Sequence, residues 1–264
     1  MITLYFENIV STKDVYLYRM KSQKKEWFAE WFDTSYYHTL YQNRNDDEAK
    51  GFVKRLVTDL QLHEKASVLD LACGKGRHSV TLNELGFDVL GVDLSPNSIS
   101  CAANHSKSGL KFDVHDMRKV IEGRKFDAIF NLFTSFGYFD SILDNEEVIN
   151  SMYQMLNNDG LLIIDFMNAH QVISELVLSE TKTMGAITFN IEREYDGKHI
   201  YKKISFSADG QDHCHTERVQ ALYYNDFKQL LEANNFQILR TFGDFELNTF
   251  DEHASDRLII VAQK

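Results

Sequence analysis

Residues 67–76 read SVLDLACGKG: an apolar run from Ser67 to Ala72 that is cut off by Cys73-Gly74-Lys75-Gly76. Apolar residues return at helical spacing from Arg77 to Leu85 until Gly86 stops them, so the segment predicts strand, glycine turn, helix. Phe87 to Val92 (FDVLGV) predicts a second strand, and Asp93-Leu94-Ser95-Pro96 follows as its exit, with Ser95 as N-cap and Pro96 at the first helical position. The rhythm repeats downstream. Leu110–Val114 and Phe126–Phe133 predict strands, Asp144–Leu156 a helix with Glu147 completing a capping box, and Leu161–Phe166 a further strand. Strands alternating with helices in this way imply an α/β fold, a doubly wound and mostly parallel sheet with its ligand beyond the carboxyl ends of the strands.

Upstream, Ala49, Phe52, Val53, Leu56, Val57 and Leu60 form one helical stripe, with Asn45 and Glu48 placed as a capping box. Downstream of Thr183 the period changes to two. Ile187, Phe189 and Ile191 alternate, Asp196-Gly197 turns, Ile204 and Phe206 alternate, Asp209-Gly210 turns again and His213–Leu222 runs on, which predicts a three-stranded antiparallel meander. A helix over Asp226–Ala233 and strands over Phe236–Phe242 and Leu258–Ala262 complete the chain. The expected organisation is an N-terminal arm or lid over 1–44, a main domain over 45–183 and 223–264, and an antiparallel insertion over 184–222. The Tyr- and Phe-rich residues 1–24 show no clear period.

The 264 residues carry 28 Lys+Arg against 39 Asp+Glu, a formal charge of −11, and 44% are hydrophobic. Such a length buries roughly three quarters of the unfolded chain's surface, enough for one large domain with an appendage. The acidic balance opposes polyanion binding, which draws on Lys and Arg replacing counterions, so nucleic acid is not an expected partner. Cys73, Cys101 and Cys214 are an odd number at wide spacing, which supports neither a disulfide framework nor a zinc site and is simplest in a reducing cytoplasm. No stretch reaches the 18 or more apolar residues of a membrane span.

Gly74 and Gly76 let backbone approach a ligand at a helix N-terminus, and Asp93, 19 residues after Gly74, can accept both hydroxyls of a ribose. A dinucleotide fingerprint would have a third glycine where this chain has Ser79, which weakens a nicotinamide-dependent oxidoreductase reading. Residues 68–78 (VLDLACGKGRH) resemble the first motif of class I S-adenosylmethionine-dependent methyltransferases of the small-molecule type. The resemblance continues through Gly91-Val92-Asp93-Leu94-Ser95-Pro96, His115-Asp116-Met117, residues 126–131 (FDAIFN) and residues 156–162 (LNNDGLL), in order.

That resemblance implies a seven-stranded Rossmann-like methyltransferase fold with an antiparallel β insertion after the fifth strand. It implies S-adenosylmethionine as cofactor, S-adenosylhomocysteine as product and a small-molecule acceptor methylated at nitrogen or oxygen. By it, Asp70 and the backbone of Ala72, Cys73, Gly74 and Gly76 hold the methionyl end, Asp93 the ribose and Leu94 the adenine face. Asp116 takes the adenine amino group with Met117 against the ring, while Asn131 and Leu132 lie under the sulfonium. Ala72 departs from the glycine often found there. A nucleic-acid or protein methyltransferase and a non-catalytic binding module of the same fold are the alternatives, and residues 131–134 (NLFT) lack the Pro-Pro that marks amino-group methylators of bases.

Other clusters receive two readings each. Cys73 is a packing residue or, less simply, a nucleophile without a base. Asp212, His213, Cys214 and His215 alternate on a strand, so at most two converge and no metal is expected. One face of that strand, His215 with Glu217 or Thr216 with Arg218, overlooks the acceptor; a solvated face is the alternative. Tyr36, Tyr37, His38 and Tyr41, with Arg44, are either helix packing or a lid over the cofactor. Phe133, Phe136, Tyr138 and Phe139 are either an acceptor wall or buried loop. A base that removes the acceptor's proton is sought at Asn131, His215 or Asp165. Replacing Asp93 by Ala is expected to abolish cofactor binding by calorimetry; affinity within a few-fold of wild type would overturn the nucleoside-site reading.

Overall fold

The computed structural model describes residues 26–42 and 46–264; the expectations for residues 1–24, Arg44 and the Asn45 cap lie outside them. Two short helices, α1 (Trp27–Trp31) and α2 (Ser35–Leu40), precede α3 (Asp46–Leu60). Then come β1 (Ser67–Leu71), α4 (Arg77–Glu84), β2 (Asp88–Asp93), α5 (Pro96–Ala102), β3 (Leu110–Val114), β4 (Phe126–Asn131), α6 (Ile142–Met155), β5 (Leu156–Met167) and α7 (Ala169–Ser174). An antiparallel group β6 (Ser179–Met184), β7 (Ile187–Tyr195), β8 (His199–Ala208) and β9 (Gln211–Gln220) leads to α8 (Tyr224–Ala233), β10 (Gln237–Phe242) and β11 (Arg257–Gln263).

The main sheet has seven strands in the order β10-β11-β5-β4-β1-β2-β3, with β11 antiparallel to β5 and β10, and the rest parallel. The chain therefore leaves β1 in both directions, toward β2 and later toward β4, which opens a crevice at the carboxyl end of β1. Side chains alternate across the sheet. Leu69, Leu71, Ile129, Leu162, Ile164, Leu258 and Ile260 pack with α6 and α8, while Val68, Ala128, Phe130, Ile163, Ile259 and Val261 pack with Phe52, Val53 and Leu56 of α3 and Leu82 of α4. Asp70 and Asp165 take the next inward positions of that second face and are buried.

Ser95 caps α5 by accepting from Ser98 N, with Pro96 at the first turn. Helix α6 starts earlier than the sequence predicts. Ser141, not Asp144, is its N-cap and accepts from Leu143 N, while Asp144 is buried in the first turn, 3.6 Å from Arg118 Nη1. Strand β4 ends at Asn131 and not at Phe133, because Phe133 and Thr134 turn into left-handed backbone at φ 57° and 60°.

The antiparallel sheet has four strands, one more than the sequence predicts, and begins at Ser179. The additional strand β6 (SETKTM) is an edge strand exposed everywhere except Met184, so it shows no apolar period, and it pairs with β7 through backbone and through polar side chains such as Thr183 with Thr188. Both Asp-Gly pairs make the turns between strands, with φ of 53° at Asp209, 73° at Gly210 and 93° at Gly197.

At Gly91 of β2 a methyl group would lie 2.6 Å from Ser79 Oγ and 2.7 Å from the Phe112 ring. Replacing Gly91 by Ala is expected to lower stability by about 1–3 kcal/mol through overpacking. A lower urea midpoint at unchanged slope is the predicted signature, and an unchanged midpoint would refute it.

Candidate active site

The turn after β1 is built from left-handed residues, Ala72 at φ 65°, Gly74 at 56° and Gly76 at 83°. The two glycines are needed for different reasons. A methyl on Gly74 would meet nothing within 4 Å, so the backbone there borders open space; a methyl on Gly76 would strike the Phe112 ring at 2.7 Å. Gly74 thus admits a ligand and Gly76 admits the packing of α4 on β3.

Asp93, at the end of β2, ties this turn to the next strand. Its Oδ2 accepts from Gly74 N and its Oδ1 from Ser95 N, each at 2.8 Å. Each oxygen keeps a second lone pair, which suits a diol lying across the carboxylate. Burial pushes the Asp93 pKa above its ordinary value against those two amide bonds.

Asp70 lies beneath the turn and does not line the cavity. Ser79 Oγ donates to it at 2.5 Å, so the residue standing where a third glycine was sought serves as the partner of a buried acid. Burial outweighs that bond and pushes the Asp70 pKa up to about 6.

Asp116, in the loop after β3, is held from its own loop. Arg118 donates to it from Nε at 3.0 Å and from Nη2 at 2.7 Å, and reaches Glu26 with Nη1 at 2.7 Å and Nη2 at 2.9 Å. Burial opposes ionisation of Asp116, but Arg118 prevails and its pKa falls below the ordinary value. Arg118 therefore links the wall of the site to the segment before α1. A second link is Asp33, whose Oδ1 accepts from Ser95 Oγ at 2.5 Å and Asn97 N at 3.0 Å.

Closed by α1 and α2 in this way, a cavity of about 490 Å³ lies over the ends of β1, β2 and β4. Of the residues singled out from sequence, it brings together Ala72, Cys73, Gly74, Asp93, Leu94, Asp116, Met117 and Leu132 with Tyr37, Tyr41 and Tyr138. His78, stacked on Phe133 at 4.9 Å between ring centres, lines it as well. Gly76, Asn131, Phe136, Asp165, His215, Glu217 and Arg218 are not in its wall.

Each of these has a visible occupation. The Asn131 amide donates to Leu71 O at 3.1 Å and Ser135 O at 3.2 Å, sewing β1 to the loop after β4. Asp165 accepts from Phe133 N at 2.8 Å and from Arg257 Nε at 2.8 Å, and its own carbonyl takes Thr134 N at 2.9 Å. The buried pair Asp165–Arg257 thus holds the left-handed turn that carries Leu132 and Phe133 to the cavity. Burial raises the Asp165 pKa against the Arg257 charge. Phe136 is wholly buried against Phe227, at 5.5 Å between ring centres.

On β9 the register resolves which face looks inward. His215 stacks on Trp31 at 4.3 Å, and Glu217 accepts from Trp31 Nε1 at 2.7 Å, whereas Arg218 pairs with Asp140 on the other face. Tyr41 Oη lies 2.8 and 2.9 Å from the two Glu217 oxygens and receives Lys202 Nζ at 2.5 Å. Trp31, Asp33, Arg118 and Lys202 escape the sequence reading, since each acts across 60 or more positions or from outside a motif. His213 and Asp212 are likewise occupied: His213 stacks on Phe206 at 4.9 Å, and Asp212 accepts from Ser207 Oγ at 2.5 Å.

The family described as "Methyltransferase domain" matches residues 62–234. A glycine/sarcosine N-methyltransferase of Aphanothece halophytica is 30% identical over 98% of this chain and 96% of its own length. Among solved structures, an S-adenosylmethionine-dependent methyltransferase from Clostridium acetobutylicum superposes with a TM-score of 0.73 at 20% identity, covering 94% of this chain and 98% of that one. The CcbJ methyltransferase from Streptomyces caelestis superposes with a TM-score of 0.72 at 15% identity, covering 89% and 98%.

The buried Asp70 gives a pH test. An acid whose pKa is about 6 when folded, against 3.8 for the free side chain, costs stability as pH rises through that window. Replacing Asp70 by Asn removes the cost, so the stability of the variant relative to wild type should rise by about 2.5 kcal/mol between pH 4 and pH 7. Denaturant unfolding of both proteins at the two pH values checks it; a pH-independent difference would refute it.

Proposed function

Because the chain belongs to the S-adenosylmethionine-dependent methyltransferases, we propose that it methylates the amine nitrogen of a small molecule, and that the cavity under α1 and α2 is where this occurs. The observation that carries the reading is the cavity itself. Its volume of about 490 Å³ suits one nucleoside and a small acceptor. The N-methylating relative from Aphanothece halophytica, matched along nearly its whole length, supports nitrogen as the acceptor atom.

The residues fit the cofactor. Asp93 offers two carboxylate oxygens to the ribose hydroxyls, Gly74 leaves room for the methionyl end, and Leu94 and Met117 supply apolar surface for adenine beside Asp116. When bound, S-adenosylmethionine supplies a methyl group already activated by the positive charge on sulfur. What remains for the protein is to align the acceptor and exclude water, and position alone can provide much of the acceleration. Phe28, Phe32, Tyr37 and Tyr138 close the cavity from the side of the lid and the loop after β4, and are suited to that exclusion.

A reducing cytoplasm is the proposed setting. It is supported by three free cysteines and, among the described residues, by no helix long and apolar enough to cross a membrane.

The purified protein should be given methyl-labelled S-adenosylmethionine together with glycine, sarcosine, an amino sugar and a metabolite extract. Label recovered on the nitrogen of a small molecule is expected. Label confined to protein or nucleic acid, or to hydroxyl acceptors, would overturn the reading.

A further inference from the structure

An acceptor nitrogen must shed a proton, and the three groups in which sequence reasoning sought a base are turned to other work: Asn131 to backbone, Asp165 to Arg257, His215 to the Trp31 ring. We propose that Tyr41 is the catalytic base of this methyl transfer, relaying the acceptor's proton to Glu217 while Lys202 stabilises the phenol oxygen. The proposal rests on the small-molecule reading above and names the group that completes its chemistry.

Tyr41 lies in the wall of the cavity, and its hydroxyl is the meeting point of two charged side chains that stand behind it on the antiparallel sheet. Lys202 on β8 and Glu217 on β9 are register partners, with Nζ and Oε2 3.9 Å apart. An ammonium can only donate and a carboxylate only accept. The bonds therefore run in one direction, from Lys202 Nζ to Tyr41 Oη and from Tyr41 Oη–H to Glu217. A proton delivered to the Tyr41 oxygen can displace the tyrosine's own proton onto a Glu217 oxygen.

Trp31 Nε1 donates to Glu217 Oε1 at 2.7 Å and fixes the carboxylate from the lid side. The Lys202 ammonium also lies 4.6 Å from the centre of the Tyr41 ring. Burial lowers the Lys202 pKa, and Glu217 is the largest influence opposing that. The other charged groups around the trio are Arg193 on β7, Glu180 and Lys182 on β6, and, beyond His215, Glu30 of α1.

The step balances without any further reagent. The proton of the acceptor ammonium goes to Tyr41 Oη, the N–H bond returning its electrons to nitrogen as a lone pair, and the phenolic proton goes to Glu217. That lone pair then forms the new C–N bond as the methyl–sulfur bond breaks, with its electron pair left on sulfur. With a side chain 14% exposed, Glu217 can pass that proton on to solvent.

Tyr41→Phe, Glu217→Gln, Glu217→Asp and Lys202→Met, each first shown to keep the wild-type melting temperature, test the relay. With the acceptor found in the extract assay, Tyr41→Phe should lower kcat about 10²–10³-fold, and S-adenosylhomocysteine affinity by calorimetry should stay within about 3-fold. The loss should shrink as pH rises and the acceptor deprotonates unaided. Glu217→Gln should share this profile, and Glu217→Asp should recover part of the rate.

A second readout needs no acceptor. In the protein saturated with S-adenosylhomocysteine, the tyrosinate absorbance present in wild type and missing in Tyr41→Phe should titrate at higher pH in Lys202→Met, because the cation that favours phenolate is gone. An unchanged kcat in Tyr41→Phe, a loss confined to S-adenosylhomocysteine affinity, or a tyrosinate titration indifferent to Lys202 would each overturn the relay. A wild-type enzyme that labels no small molecule would overturn the acceptor reading instead, and the absorbance titration would still decide the relay.

Discussion

The Asp93 carboxylate joins two strands where the main sheet opens beside β1. By accepting from Gly74 and Ser95, it binds the turn after β1 to the turn after β2, so two loops that would otherwise move independently share one anchor. The remaining architecture serves that junction. Val68 and Leu69 bury β1 on both faces, Gly91 lets Ser79 and Phe112 approach β2, and the Ser79 hydroxyl closes on Asp70 below. A buried acid with one short hydrogen bond is a costly foundation, and its raised pKa records the strain that burial imposes.

The lid is fastened to both halves of the site. Asp33 reaches the start of α5 beside Asp93, Glu26 shares Arg118 with Asp116, and Trp31 and Tyr41 meet at Glu217 on the antiparallel sheet. These are charge-assisted contacts between partly buried groups, which are stronger and more directional than apolar packing alone. They also bring elements distant in the chain together around the cavity: the ends of parallel strands and the helical pair line it, and the antiparallel sheet packs behind that pair.

Much of this was legible in the amino-acid order because it depends on local rules. The strand–glycine–helix passage at 67–85, the acid at the end of the next strand, Ser95-Pro96 as a helix start and the two Asp-Gly turns each follow from backbone preferences acting over a few residues. What escaped lacks a local signal. The edge strand β6 is polar on both faces; the start of α6 moved to Ser141 because Asp144 was drawn inward beside Arg118. Phe133 and Thr134 adopt left-handed backbone that neither residue favours, and do so because Asp165 and Arg257 hold them there.

The sequence by itself determined a doubly wound α/β sheet with a glycine turn after its first strand and an antiparallel insertion, since periodicity and turn chemistry are properties of neighbours along the chain. Only the tertiary structure decided which of the many acids, histidines and tyrosines face the cavity. Asp70 and Asp165 went beneath it and His215 against Trp31, while Tyr41 entered its wall with Lys202 and Glu217 behind it. That choice depends on the register of β8 against β9 and on the docking of α1 and α2, and a shift of one residue in either would exchange the faces.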